Sequence, residues 1–250
     1  MKKIYLAALT LAMTACVSND DLNPVDNYGY IDLNVSNDPV MVTRAEGDPN
    51  WQLSATKDGE IYTGIVYGTN KVPAGTYVIT AKSHASIDKA NTSNTYGEPY
   101  FEGTSVQTQI SAGQSENINI DCHQAQNSKL TLVNALNSSV FTDVKLNATS
   151  HNRELSLSTQ HPSAFYSTGT QVSYNISYKY NDSQTETVIK NNGQDYTITI
   201  AEAAKDYQIK LTSTDNGNIN VTVTYNNKFG TVESEDFTFD AATGDIANQQ

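Results

Sequence analysis

Cysteine is nearly absent from this chain: Cys16 and Cys122 are the only two. Cys122 has no partner once Cys16 is assigned to the N-terminal segment discussed below, so stability rests on packed cores rather than disulfide staples. Within its apolar-alternating run, Cys122 reads as a small buried hydrophobe. Basic residues are scarce too. Lys and Arg number 15 against 27 Asp and Glu, a formal charge of −12 that becomes −14 without Lys2 and Lys3. That balance weighs against nucleic acid and anionic headgroups as partners, since both would be repelled. It leaves neutral glycans and proteins open. The four histidines, His84, His123, His151 and His161, have no metal-ligand spacing, which argues against zinc. No Gly-x-Ser-x-Gly turn, P-loop or Gly-x-Gly-x-x-Gly cradle occurs. Carboxylates abound, but sequence alone cannot pair two of them as a glycosidase would. Asp215-Asn216-Gly217-Asn218 lacks the spaced acidic ligands of a calcium loop and fits a hairpin better. The expectation is therefore a protein that is not an enzyme, with no cofactor and no metal.

Helically spaced apolar residues are also few. What the chain does have is Asn, Ser and Thr, with Tyr outnumbering Phe and the single Trp, a mix that suits sheets with wet outer faces. Period-two alternation recurs throughout. Tyr30 to Val35 reads as a half-buried strand. Trp51 to Ala55 and Glu60 to Tyr67 read as strands around a turn at Gly59. Pro73 and Gly75 suit a type I turn, after which Tyr77, Ile79 and Ala81 share one face. A polar loop spans 83–99, long enough to invite a functional reading. Two strands flank Gly113, with Ile118, Ile120 and Cys122 on one face. After a joint at His123 to Lys129 a second series begins: Val144, Leu146 and Ala148; Leu155 and Leu157; Tyr174 to Tyr180; Tyr196 to Ile200. Residues 201–206 form a helical turn or corner. The last hairpin has one register that pairs apolar with apolar: Leu211 opposite Val221, Ile209 opposite Val223 and Tyr207 opposite Tyr225. That register needs a three-residue loop, Asp215-Asn216-Gly217, with Gly217 in the left-handed conformation.

The N-terminus supplies an address. Lys2 and Lys3 precede an apolar run, Ile4 to Ala12, too short to stay in a bilayer as a helix. Met13-Thr14-Ala15-Cys16 follows and resembles the lipobox of bacterial lipoproteins, with Met13 where Leu is usual. The resemblance implies removal of residues 1–15 and acylation of Cys16, a stable membrane anchor. Asp20-Asp21 just beyond resembles the acidic signal that sends Bacteroides lipoproteins to the outer face of the outer membrane. A solvated acidic tether is the plainer reading of the same pair. The mature chain of about 235 residues is enough for two small domains or one large β-domain.

Three stretches together, the lipobox, "VPAGTYVITA" and "INIDCHQAQNSKLTLV", resemble an uncharacterised family of Bacteroides surface lipoproteins. That family is known as a domain of unknown function, grouped with candidate cell-adhesion proteins and similar in style to fimbrillins. The expected fold is all-β, two tandem β-sandwich domains of transthyretin-like or Ig-like type. The expected division is a signal peptide at 1–15, a tether at 16–27, domains at 28–125 and 126–240, and a polar, disordered tail at 241–250. Fimbrillin-like precursors are cut after an arginine, which frees a groove for donor-strand assembly. Arg44-Ala45 resembles that context, and loss of strand 30–35 would open the first sandwich; an ordinary surface arginine is the alternative. Trp51, Tyr96, Tyr100 and Phe101 offer either an aromatic platform for a sugar or core packing. Two functions result. One is a surface lipoprotein in adhesion or a fimbria-like subunit, anchored in the outer membrane through Cys16, with an extracellular protein, a glycan or its own copies as partner. The other is a glycan-binding accessory lipoprotein of an uptake system.

Overall fold

The computed structural model describes residues 27–37, 50–151, 153–191, 193–214, 218–226 and 232–244. The protein is all-β, with one short helix among the described residues. The first half contains Tyr28–Asn37 (β1), Gln52–Lys57 (β2), Glu60–Tyr62 (β3), Gly68–Pro73 (β4), Gly75–Lys82 (β5), Phe101–Thr104 (β6), Thr108–Ile110 (β7) and Ser115–Gln124 (β8). The helix, Ile87–Asn91 (α1), lies between β5 and β6.

These strands run β3-β2-β5-β6-β8-β1-β4, with β7 also on β5. The path is continuous, so the first half is one sheet curled over its own core rather than two separate sheets. Two long strands do the curling. β8 pairs in parallel with β1 over Ser115 to Cys122, then antiparallel with β6 at His123 and Gln124. β5 pairs with β7 at Gly75 to Tyr77 and with β6 at Thr80 to Lys82. Ser105 bridges the gap. Its N–H donates to Ile79 O at 2.8 Å and its Oγ accepts from the Ile79 N–H at 3.0 Å. The inner face carries the expected alternation: Tyr77, Ile79 and Ala81 on β5, and Ile118, Ile120 and Cys122 on β8, are all buried. The β2–β3 hairpin turns on Asp58 and Gly59, both with positive φ (52° and 89°), as a type I′ turn requires.

The type I turn expected at Pro73–Gly75 is a bend at one residue. β4 pairs with β1, and β5 with β2, β6 and β7, so no hairpin joins them. Ala74 N–H donates to Asn27 O at 2.8 Å instead of closing a turn. Pro73 ends an edge strand, where a missing N–H is tolerated.

The second half contains Asn127–Ala135 (β9), Phe141–Ser150 (β10), Arg153–Leu157 (β11), Ser163–Ser167 (β12), Gln171–Tyr180 (β13), Glu186–Ile189 (β14), Tyr196–Thr199 (β15), Asp206–Ser213 (β16), Ile219–Asn226 (β17) and Val232–Phe239 (β18). Here two sheets face each other: β11-β10-β13-β14 with β15 on β13, and β12-β9-β16-β17-β18. Leu146, Ile176 and Tyr178 from one sheet meet Leu130, Ile209 and Leu211 from the other, in a core separate from that of the first half. The β16–β17 register is the expected one: Leu211 opposite Val221, Ile209 opposite Val223 and Tyr207 opposite Tyr225. The conformation of Gly217 lies outside the described residues.

Residues 201–206 form a corner rather than a helical turn. The Tyr207 hydroxyl accepts the Glu202 N–H at 2.9 Å, a tie back to the backbone five residues upstream that marks tyrosine corners of Ig-like sheets. The tail is ordered at its start, contrary to expectation. Ala241 is buried, and its carbonyl accepts the Tyr178 hydroxyl at 2.9 Å. A buried phenol needs an acceptor, and this one holds the chain down. Residues 245–250 lie outside the described residues.

Close backbone approach fixes one glycine. A Cβ on Gly103 would stand 2.6 Å from Asp121 O and 2.9 Å from Cys122 Sγ. Gly103→Ala should therefore force β6 off β8 and lower unfolding free energy by about 2 kcal/mol. Urea titration of the purified chain checks this; an unchanged midpoint would refute it.

Candidate functional site

β1 is the first element to weigh, because the Arg44 stretch follows it directly in sequence. Arg44, Ala45 and Cys16 themselves lie outside the described residues. β1 is paired on both sides. It runs antiparallel to β4 from Tyr28–Pro73 to Leu33–Gly68, and parallel to β8 from Tyr30–Ser115 to Asn37–Cys122. Ile31 and Leu33 are fully buried, and each contributes about 2 kcal/mol of burial to the first core. Gly29 lets the strand in: a Cβ there would fall 2.5 Å from Ile110 Cγ2 and from Ser111 O. The strand therefore fills a shaped slot.

The loop over 83–99 is the second element. Its base is a line of three side chains. Ser83 Oγ lies 3.0 Å from His84 Nδ1, and His84 Nε2 lies 2.9 Å from Glu98 Oε2. Serine, imidazole and carboxylate are the residue types of a nucleophilic triad. Here the serine is buried, 8% exposed, and its Oγ accepts the Phe101 N–H at 2.9 Å. The oxygen that would attack is thus held against the backbone of β6, and the line serves to close the loop's base. Adjacent Ser and His carry no motif, which is why sequence reading passed over them.

Beyond that base the loop lies on the second half. Asn91 Nδ2 donates to Ser167 Oγ at 2.7 Å, and Phe165 N–H donates to Tyr96 O at 2.8 Å. Arg153 reaches across from β11, donating through Nη1 to Phe165 O at 2.6 Å and through Nη2 to Thr95 O at 2.8 Å. The Tyr96 ring stacks on His161 at 4.7 Å. At the joint, Asn127 is fully buried. Its Nδ2 donates to Asn91 Oδ1 (3.1 Å) and Glu98 O (2.9 Å), while its Oδ1 accepts from Tyr100 N–H (3.0 Å) and Gln124 Nε2 (3.3 Å).

The four aromatics considered as a sugar platform do not form one. Phe101 is on the inner face of β6 and 5% exposed; Tyr100 is 2% exposed. Burial, and then the Glu102 carboxylate, push the Tyr100 phenol above its ordinary pKa. Trp51 packs half-buried against the first core, and Tyr96 is engaged with His161. Core filling wins for Tyr100 and Phe101 because an aromatic ring gains more by burial than by display. Cys122 is a buried hydrophobe as expected, with its thiol pushed by burial, and next by Asp121, to about 11. No group of His, Cys, Asp and Glu among the described residues could hold a metal ion.

Two outcomes follow. Asn127→Leu leaves the Tyr100 N–H and Asn91 Oδ1 without their partner inside the joint and should cost about 3 kcal/mol in denaturant unfolding. It should also expose loop 83–99 to limited proteolysis; a loss under about 0.5 kcal/mol would show the joint to be slack. Separately, the raised thiol pKa leaves little thiolate at pH 8. Iodoacetamide should then modify Cys122 only as fast as the first half unfolds, with labelling that accelerates in urea in step with the loss of structure. Rapid labelling of the native chain would contradict that burial.

A family model for a domain of unknown function (DUF4493) matches residues 52–241. No curated protein sequence matches the chain. Among solved structures, a candidate cell-adhesion protein from Bacteroides fragilis aligns over 81% of this chain and 98% of its own, at 10% identity and a TM-score of 0.37. A fimbrial protein from Bacteroides vulgatus aligns over 83% and 98%, at 10% identity and a TM-score of 0.34. A C-terminal fragment of a pilus adhesin from Lactobacillus rhamnosus aligns over 74% and 96%, at 10% identity and a TM-score of 0.27. The family model spans well over half of the sequence, and the chain therefore belongs to the DUF4493 family of unknown function.

Proposed function

We propose that this protein is a non-enzymatic, lipid-anchored protein of the outer cell surface that works in adhesion or as a fimbria-like subunit. One observation carries the reading: β1, buried between β4 and β8, is the last described strand before Arg44. A cut after Arg44 would release everything N-terminal to it, β1 included. Among the described strands β4 would then lose its one partner, and β8 its partner over eight residue pairs. The groove left behind would present two rows of unpaired backbone groups and the emptied seats of Ile31 and Leu33. An extended strand from another copy answers both needs, since main-chain pairing supplies affinity and the seats supply specificity. In this reading residues 28–125 are the assembly domain and 126–240 the outward domain. The anchor is Cys16, and the acidic mature chain stays clear of anionic lipid surfaces.

Intact-cell protease shaving with mass spectrometry of the mature protein tests the reading. The expected result is an acylated Cys16 in the precursor, surface-derived peptides from 50–244, and an assembled form that begins at Ala45. Arg44→Ala should keep β1 in place and block the assembled form. An unmodified Cys16 in a protein reached only after cell lysis would overturn the reading.

A further inference from the structure

The second half holds a cleft that the proposed function does not use. It has a volume of about 430 Å³ and lies where the end of β9, the start of β10 and the loop after β11 converge. A β-bulge builds it. Between Thr142 and Lys145 the β10–β13 register shifts, and Asp143 adopts φ 51°. In a regular strand Phe141 and Val144 would face opposite sides. The bulge turns both inward, buried at 4% and 7% exposure, and leaves Thr142 and Asp143 side by side on the rim. The result is a mainly polar cleft: eight of its ten lining residues are polar or charged, with Phe141 and Val144 beneath them.

The walls are fixed before any ligand arrives. On one side Asn134 Oδ1 accepts the Leu136 N–H at 3.1 Å, and Asn137 O accepts the Phe141 N–H at 2.9 Å. On the other, Ser158 Oγ accepts the Gln160 N–H at 3.3 Å and the Ser158 N–H donates to His161 O at 3.0 Å. These bonds occupy backbone groups and acceptors. The Asn134 amide N–H groups, the Thr142 hydroxyl and the Gln160 carboxamide make no hydrogen bond with other described side chains or backbone and face the cleft or its rim. The charges nearly cancel. Lys179 pairs with Asp143 at 2.7 Å, which holds that carboxyl below its ordinary pKa, and Lys145 adds a single cationic donor to the wall.

We propose that this cleft is a saccharide-binding site. A pyranose has an apolar C–H face for Phe141 and Val144 and a ring of hydroxyls for neutral amide and hydroxyl partners. It needs no strong charge. Lys145 would donate to a ring or hydroxyl oxygen, or to the carboxylate of an acidic sugar. Preformed walls reduce the ordering cost of binding. The proposal gives the adhesion reading its ligand class and rests on that reading for its setting, though the site itself is testable on the isolated chain.

The test presents the purified mature chain to an array of immobilised neutral and acidic oligosaccharides, then titrates the best-retained sugar in solution. Thr142→Trp, at an exposed rim position, blocks the cleft. Thr149→Trp, exposed on the same strand outside the cleft, is the control. The expected result is retention of at least one sugar, weakened tenfold or more by Thr142→Trp and unchanged by Thr149→Trp. Retention of none, or equal weakening by both variants, overturns the site. Equal binding by wild type and Thr142→Trp overturns it as well. Cells displaying the chain separate this from the adhesion reading: surface display with binding unaffected by Thr142→Trp sinks the site alone, whereas a chain absent from the surface sinks the adhesion reading and leaves the array result standing.

Discussion

The burial of one carboxamide ties the molecule together. Asn127 opens the first strand of the second half, and its side chain is closed off from water. An amide taken out of water without partners costs more than any single hydrogen bond returns. Asn127 escapes that cost because each of its polar atoms meets partners from the first half: α1 and the loop through Asn91 and Glu98, and the strand ends through Tyr100 and Gln124. The next residue repeats the device. Ser128 Oγ donates to Glu202 O at 2.6 Å and accepts the Lys205 N–H at 2.9 Å, which fixes the corner before Tyr207. Two adjacent polar residues thus fasten the loop, the joint and the corner. Leu at 127 would fit the volume but leave the loop's backbone unanswered. A joint held this way is a weld, since any relative rotation of the halves must break several bonds at once.

Each half also relies on parallel pairing of its first strand with a late one: β1 with β8, and β9 with β16. Such pairs cannot form through a tight hairpin and require most of the intervening chain to be in place. Closing so long a loop is entropically costly, so both first strands should join late in folding. Once in place, β9 is fastened by the polar contacts of Asn127 and Ser128. β1 has no such lock. It is held by apolar seats, ladder bonds and one exposed side-chain bond, Ser36 Oγ to Asp121 Oδ1 at 2.6 Å, and the chain that leaves it runs through Arg44.

Much of this was legible in the sequence where one physical rule dominated. Strands with one buried face repeat every second residue, so Tyr77-Ile79-Ala81 and Tyr174-Ile176-Tyr178 announced themselves. The β16–β17 register was legible because one offset alone sets apolar side chains opposite each other. The N-terminal and joint motifs pointed to a family of unknown function, and the family match agrees. Legibility failed where the deciding partner is far away in sequence. Pro73-Ala74-Gly75 has turn chemistry in any setting; that β1 pairs with β4 turns it into a bend. For Tyr100 and Phe101 the sequence favoured core packing over display, but which core they fill became clear only with β6 placed against β8. Ala241 looked like tail because the Tyr178 hydroxyl that holds it is 63 residues away. The cleft was invisible for a related reason: a bulge at Asp143 leaves no mark on composition, yet it moves Phe141 and Val144 to one side.

The weld and the unlocked first strand have different consequences for one molecule. None of the bonds that Asn127, Ser128 or Arg153 make involves β1. Removal or exchange of β1 therefore opens the first half without loosening the joint. In the proposed strand exchange, the second half, with its cleft on the β9–β10 end, would keep its orientation while the first half changed partner. Under the proposed function, such a chain would hand over a strand at one end while the proposed cleft stayed fixed at the other.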